Sequence, residues 1–386
     1  MNFDWFVEFD TIQIADDIDK LVNGTDGFVN IKNIYSKTKL LANCLNKNEA
    51  IKNYAKSGKR INRPAGHKRI IIHKKEYNEL IREEIQRLKS IELYSPSAKI
   101  STLPPYSFFL QFTFTLASPY LSKDDEEFYI CENPVRKDKV FKVPMVAATT
   151  WKGNLRWTSG KLVELKVADP EEKLLKRIQL SKLFGHENEA ERRYFDSLMS
   201  DDKRTAFEEE MKSWSTNGLR SGRLNFYPTF FDHIGLEVIN PHDRKTKAGT
   251  QPIYIESVPD GATGTFSLLY VPFDLISSGV AGVGTEYNGT FSLLYVPFDL
   301  MGKPQNQIRD EVIADLDMVC KALREMMLTY GFSAKKGSGF GVIEEKIDGT
   351  FEMSGSTIYK DNIYSSFNQL EQLIERLIKE VMKNDE

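Results

Sequence analysis

The sequence predicts an α+β fold, a ferredoxin-like (RRM-like) sheet in split β-α-β form enlarged by insertions. Two observations lead to it. Phe108–Leu116 alternates aromatic and β-branched residues as a central strand does, and the main elements that follow run helix, strand, strand, helix, strand. At 386 residues the chain can bury an adequate core, as one large domain with insertions or as two. Its hydrophobic share of 41% and charged share of 28% are those of an ordinary globular protein. No apolar stretch approaches the roughly 18 residues that cross a bilayer, so a membrane protein is not expected. The amino terminus carries acids where a secretory signal carries Lys or Arg, and the protein is read as cytoplasmic.

The elements follow in order. Residues 1–100 read as a largely helical accessory region ending in the amphipathic stretch Tyr77 to Leu93, where Leu80, Ile81, Ile85 and Leu88 recur at helical spacing. Ser95-Pro96-Ser97 and Pro104-Pro105 place a boundary near residue 100, and residues 101–350 hold the sheet. After the first strand, Ser118-Pro119 opens a connector that is acidic, then basic, and Thr149 or Thr150 is placed to cap a helix from Trp151 to about Leu165. Residues 170–215 are helical and charged, broken at Phe184-Gly185. Strand character resumes at Gly222 to Tyr227 and again at Ile253 to Ser257. Ile308, Val312, Leu316, Val319, Leu323 and Met327 form the stripe of a second core helix, and Gly337 to Gly341 leads into a last strand near Val342-Ile343. Residues 351–386 are a tail ending in an amphipathic helix along Leu370, Leu373, Ile374, Leu377, Ile378 and Val381.

One segment is duplicated. Gly-Thr-Phe-Ser-Leu-Leu-Tyr-Val-Pro-Phe-Asp-Leu stands at 264–275 and again, unchanged, at 289–300. Packing does not demand such identity, and two copies are too few for a solenoid. One copy is expected in a core strand and the other in an edge or protruding hairpin.

Chemistry is constrained first by what is scattered. The three cysteines and five histidines are dispersed without metal-ligand spacing, so neither a disulfide framework nor a tightly bound transition metal is expected. Net charge is only −3, yet Lys52 to Lys75 holds nine Lys/Arg residues and no acid, while Asp124 to Glu127 is four acids in a row. A basic run of this kind is either a solvated face or a surface for phosphates.

Three segments combine backbone amides with cations. In Ala147-Ala148-Thr149-Thr150-Trp151-Lys152-Gly153-Asn154-Leu155-Arg156, small residues allow close approach to a helix start, and Lys152 and Arg156 lie four apart. An ordinary helix with two surface cations has the same pattern. In Lys335-Lys336-Gly337-Ser338-Gly339, closely spaced glycines let amides reach a phosphate. The loop lacks the closing signature of a nucleotide-binding P-loop and precedes a strand, which favours a polymer backbone over a nucleotide-dependent enzyme. Asn240 to Gly249, with His242, Arg244 and Lys245, is either a solvated hairpin tip or a cationic arm over nucleic acid, and Arg220 and Arg223 add two cations before a strand.

The order of Val143 to Arg156, Leu183-Phe184-Gly185, Gly222-Arg223-Leu224, Glu256 to Phe266 and the late Gly-rich loop resembles the RAMP superfamily of CRISPR proteins. Within it the chain is most similar to the backbone subunits, the seventh Cas group, of type III effector complexes. The resemblance covers about residues 105–345. It implies a palm of ferredoxin-like fold, a thumb at about residues 240–253, and copies or paralogous RAMP subunits stacked along a guide RNA (crRNA) that pairs with target RNA in antiviral defence. Lys152, Asn154, Arg156, Lys335, Lys336, Gly337, Ser338 and Gly339 would hold the guide backbone.

The resemblance also implies metal-dependent RNA cleavage by an Asp in the loop after the first strand, with Mg2+ or Mn2+ as the ion. Here Glu132 stands at the matching position, in Glu132-Asn133-Pro134-Val135-Arg136-Lys137-Asp138. Its extra methylene moves the carboxylate, and about 1 Å of misplacement can cost roughly a hundredfold in rate. Asp125 and Asp138, with Asp124, are candidate helpers. The alternatives are an endoribonuclease centred on Glu132 and a non-catalytic RNA-binding scaffold in which Glu132 pairs with Arg136.

Overall fold

The computed structural model describes residues 12–60, 63–126, 128–214, 221–240, 245–247, 249, 252–276, 305–354 and 362–383. The N-terminal region includes helices α1 (Ala15–Asn23), α2 (Ile34–Leu41), α3 (Glu49–Ser57) and α4 (Glu76–Ser90). Asn33 and Asn48 cap α2 and α3 by accepting from amides three residues on, at 3.1 and 3.0 Å. The stripe of α4 is buried at Tyr77, Ile81, Ile85 and Leu88.

The sheet follows in β1 (Phe108–Leu116), β2 (Leu224–Phe226), β5 (Thr263–Tyr270), β6 (Ile343–Met353) and β7 (Ile363–Tyr364). Their spatial order is β7-β6-β1-β5-β2, every pairing antiparallel. With helices α5 (Ala148–Lys166) and α9 (Gln305–Glu325) between them, the four core strands make the split β-α-β topology the sequence predicts. The insertion after α5 is α6 (Pro170–Phe184), α7 (Glu189–Ser197) and α8 (Asp201–Trp214), and α10 (Phe367–Lys383) closes the chain.

Three details differ from the sequence reading. The third core strand is β5, the first copy of the duplicated segment, whereas β4 (Ile253–Ser257) pairs with β3 (Gly235–Ile239) in a separate hairpin. Burial decides this: β5 is buried along most of its length, while β4 begins exposed. The second copy, 289–300, lies outside the described residues. Helix α5 starts at Ala148 on an Ala147 N-cap that offers no side-chain bond, so neither Thr149 nor Thr150 caps it. The last core strand runs to Met353, because Ile347, Gly349, Phe351 and Met353 alternate inward after a bulge.

The core is aromatic. Phe112 and Phe266 face each other across β1 and β5, and the ring of Trp151 lies 5.0 Å from Phe266 and 4.5 Å from Phe332. The fully buried indole donates to Thr229 Oγ1 at 3.0 Å, whose hydroxyl donates to the Thr265 carbonyl at 2.7 Å.

A second anchor is ionic. Arg223 is 0% exposed, and its guanidinium donates to Asp274 at 2.8 and 2.6 Å, Glu311 at 2.7 Å and Asp315 at 2.6 Å. Asp315 also accepts from Tyr270 Oη and Gln179, so one buried cation ties β2, β5, α6 and α9 together. Its burial removes Arg223 from the residues placed to touch RNA. The cation expected on the surface is a core residue, since its acids come from distant parts of the chain. Arg223→Ala strands two or three carboxylates, and equilibrium urea unfolding should show a loss of about 3–5 kcal/mol.

Candidate nucleic-acid interface

β1 ends, and β5 and β6 begin, at one end of the sheet, so the loops that follow β1 and precede β6 share a rim with the root of the β3–β4 hairpin. The late Gly-rich loop is stapled there. The Phe332 amide donates to the Gly341 carbonyl at 3.0 Å, and the Gly341 amide to the Pro119 carbonyl at 3.0 Å. The Ser118 hydroxyl donates to the Gly339 carbonyl at 2.7 Å, and the Leu121 amide to Ser333 Oγ at 2.7 Å. Gly341 has φ of 74°, and a Cβ there would sit 2.4 Å from that of Ser333, so no side chain is tolerated. Beyond this clamp Lys335, Gly337, Ser338 and Gly339 are exposed, and a Cβ on Gly337 or Gly339 would meet nothing within 4 Å.

The two segments singled out in the sequence meet at this point. Lys336 Nζ donates to Asn154 Oδ1 at 3.0 Å, and Asn154 Nδ2 donates to the carbonyls of Thr150 at 2.9 Å and Phe332 at 3.2 Å. The same ammonium lies 4.1 Å from the centroid of the Trp157 ring. Burial lowers the pKa of Lys336, and burial together with neighbouring Arg156 lowers that of Lys152. These ammoniums are partly dehydrated beside a helix start whose cap offers no side chain, an arrangement that favours an anion. Trp157 escaped the sequence reading, although it lies three residues beyond Asn154, on the same helical face.

Other cations are differently employed. Arg156 is ion-paired with Glu191 and donates to the carbonyls of His186 at 2.9 Å and Gly185 at 3.2 Å, which fastens α5 to the inserted helices. Its guanidinium is engaged there, one turn along α5 from Lys152. Lys245 is exposed in the connection between β3 and β4, while Arg220, His242 and Arg244 lie outside the described residues.

Among the described residues, no exposed aromatic ring lies on the open face of the sheet. Thr113, Asp348, Thr350 and Glu352 are exposed there, Gln111 and Thr265 are half-buried, and Phe109 is buried edge-on to Tyr227.

Glu132 is exposed, and its Oε1 lies 2.5 Å from Lys56 Nζ of α3. Its observed partner is Lys56, not Arg136. The Lys56 hydrogen bond and charge, with Lys52 beyond, hold the Glu132 carboxyl below its usual range. Asp138 accepts from the amides of Val140 and Phe141, each at 2.8 Å, as the cap of a turn. Asp125 is exposed, and Asp124 accepts from the Asp125 amide at 2.9 Å and the Lys137 amide at 3.1 Å. Among the described residues no three His, Cys, Asp or Glu side chains are grouped to hold a metal. Glu132 is the carboxylate that would face a Mg2+ or Mn2+ in this loop, and here the Lys56 ammonium faces it.

A buried carboxylate positions this loop. Glu256, at the end of β4, accepts from Lys137 Nζ at 2.5 Å, Tyr129 Oη at 2.6 Å and the Val135 amide at 3.2 Å, and lies 2.8 Å from His67 Nε2. Its amide donates to the Asn133 carbonyl at 3.1 Å. The helical N-terminal region, the Glu132 loop and the hairpin root thus share one charge. Burial alone would raise the Glu256 carboxyl, but Lys137 and His67 outweigh it and bring it down to about 2.

Strand order, inserted helices and the rim define an elaborated ferredoxin-like domain with a cationic, glycine-lined edge. Residues 113–344, from within β1 to the start of β6, match the family described as the RAMP superfamily, and the chain belongs to that family. No curated protein matches the chain. Among solved structures, it is similar to a chain of the cryo-EM structure of the type III-B Cmr-beta bound to cognate target RNA. That likeness is 13% identity over 89% of this chain and 100% of the other, with a TM-score of 0.41. Among the described residues no helix is long and apolar enough to cross a membrane.

Because the Glu256 carboxyl is depressed in the folded chain, the stability it contributes is present above the unfolded value of about 4.3. It is lost as pH falls from there toward 2. Glu256→Gln leaves Lys137 buried without its counter-charge, so urea titration at pH 7 should show a loss of about 3–5 kcal/mol. That loss should shrink as the comparison is repeated at lower pH.

Proposed function

We propose that this chain is an RNA-binding backbone subunit of a cytoplasmic type III CRISPR ribonucleoprotein, assembled with other RAMP subunits or further copies of itself along a guide RNA that pairs with target RNA. The carrying observation is the convergence of the Gly-rich loop with α5, where Lys336, Asn154 and Trp157 join beside exposed Lys335, Gly337, Ser338 and Gly339. Amides and ammoniums at a rim with open space beside two glycines suit a phosphodiester backbone, which is gripped without reading sequence. The β3–β4 hairpin, with Lys245 and Lys247 exposed in its connection, is the thumb of this reading.

The chain is read as holding RNA and not cutting it. Support comes from Glu132, whose carboxylate faces an ammonium. With guide, matched target and Mg2+, the wild-type complex should leave the target intact. Regular cuts that vanish in Glu132→Ala would instead establish the endoribonuclease.

Lys335→Glu with Lys336→Glu should weaken single-stranded RNA binding at least about tenfold, equally across sequences, in fluorescence anisotropy. The log–log salt slope should fall by about 0.7 for each phosphate that the loop no longer neutralises. Unchanged affinity and slope would remove this loop from the interface.

A further inference from the structure

The indole of Trp157 lies outside the buried core. The core beneath is completed by Trp151 at 0% exposure, yet Trp157, on the outer side of α5, keeps 42% of its surface in solvent. It is held on two sides. Tyr330 meets it edge-on with centroids 5.2 Å apart, and Lys336 Nζ lies over it at 4.1 Å. The Tyr330 contact holds the ring's orientation even when Lys336 moves. Lys336 links it to the Gly-rich loop, beside whose Gly337 and Gly339 the space is open. The sheet face, the other place where a ferredoxin-like fold can stack bases, is polar and acidic at Thr113, Asp348, Thr350 and Glu352.

We propose that Trp157 is a nucleobase platform: a base of single-stranded RNA stacks on its indole, and the Lys336 ammonium moves from the ring to the adjoining phosphate. The proposal rests on the RNA-holding reading and adds to it a contact with a base. A cation–π contact at a half-exposed site is weak and readily exchanged for a phosphate. Stacking on an aromatic face is tolerant of sequence because every base has a π-face, so the site takes unpaired nucleotides of any identity. No bond is made or broken.

The test uses the full chain, an oligouridine probe, and the variants Trp157→Phe and Trp157→Ala. Binding should quench wild-type tryptophan emission, and Trp157→Phe should lose that quench while keeping affinity within about threefold, since its ring still stacks. The fully buried Trp151 is out of reach of a base, and Trp5→Phe with Trp214→Phe, present in every protein compared, leave Trp157 as the one other emitter. Trp157→Ala should weaken binding about tenfold with an unchanged salt slope, because every cation that neutralises a phosphate stays in place. The phenylalanine variant, which keeps the packing against Tyr330, controls for misfolding. Full quenching in Trp157→Phe, or wild-type affinity in Trp157→Ala, overturns the platform. If Trp157→Ala is silent while Lys335→Glu with Lys336→Glu abolishes binding, the platform alone falls. If the wild-type chain binds no RNA, the RNA-holding reading falls with it.

Discussion

A buried carboxylate at the end of β4 governs how the parts of this molecule meet. Glu256 is 0% exposed, and a charge removed from water survives only where partners replace its hydration. Those partners come from two places, His67 from the N-terminal helical region and Tyr129, Val135 and Lys137 from the loop after β1, while the β3–β4 hairpin carries Glu256 itself. None can move far without exposing an unpaired charge. The accessory region is therefore fixed to the palm by electrostatics as well as by the apolar stripe of α4.

The same loop connects the Gly-rich loop with the root of the β3–β4 hairpin. It leaves β1, staples the Gly-rich loop through Ser118, Pro119 and Leu121, and ends in the Glu256 network at the hairpin root. Groups held by such a network are already in place before any ligand arrives, which lowers the entropic cost of binding. Arg223 does equivalent service at the other anchor, where β2 and β5 meet α9.

The sequence discloses what depends on local periodicity and hides what depends on long-range pairing. β1 is legible from alternation, α9 from its apolar stripe, and the split β-α-β order from the two together. The strand carrying Ile253–Ser257 is also legible, but its place in a hairpin outside the main sheet is not, since periodicity says nothing about partners. Arg223 looks like a surface cation because its acids lie 51, 88 and 92 residues away. Lys56 reaches Glu132 across 76 residues, and Glu256 meets His67 across 189. Nothing in the sequence foretells that Lys336 touches Asn154, though both segments carry the marks of the same chemistry. Trp157 stays hidden for a simpler reason: charge spacing picks out a phosphate grip and is blind to an indole on the same helical face.

The duplicated segment sets the sheet a problem of choice. Twelve identical residues offer the position between β1 and β2 two candidates with the same side chains, so neither the Phe112 contact nor the Tyr270 and Asp274 partners of the Arg223 anchor discriminates between them. Discrimination falls to what precedes each copy. Before the first stand Ala262, buried at 1%, and Thr263, whose amide and hydroxyl bond Asp232 at 3.0 and 3.2 Å. Before the second the corresponding residues are Tyr287 and Asn288. A tyrosine does not fit where an alanine is fully enclosed. Two residues outside the repeat, Ala262 and Thr263, thus tie the strand position to more than the twelve residues the copies share.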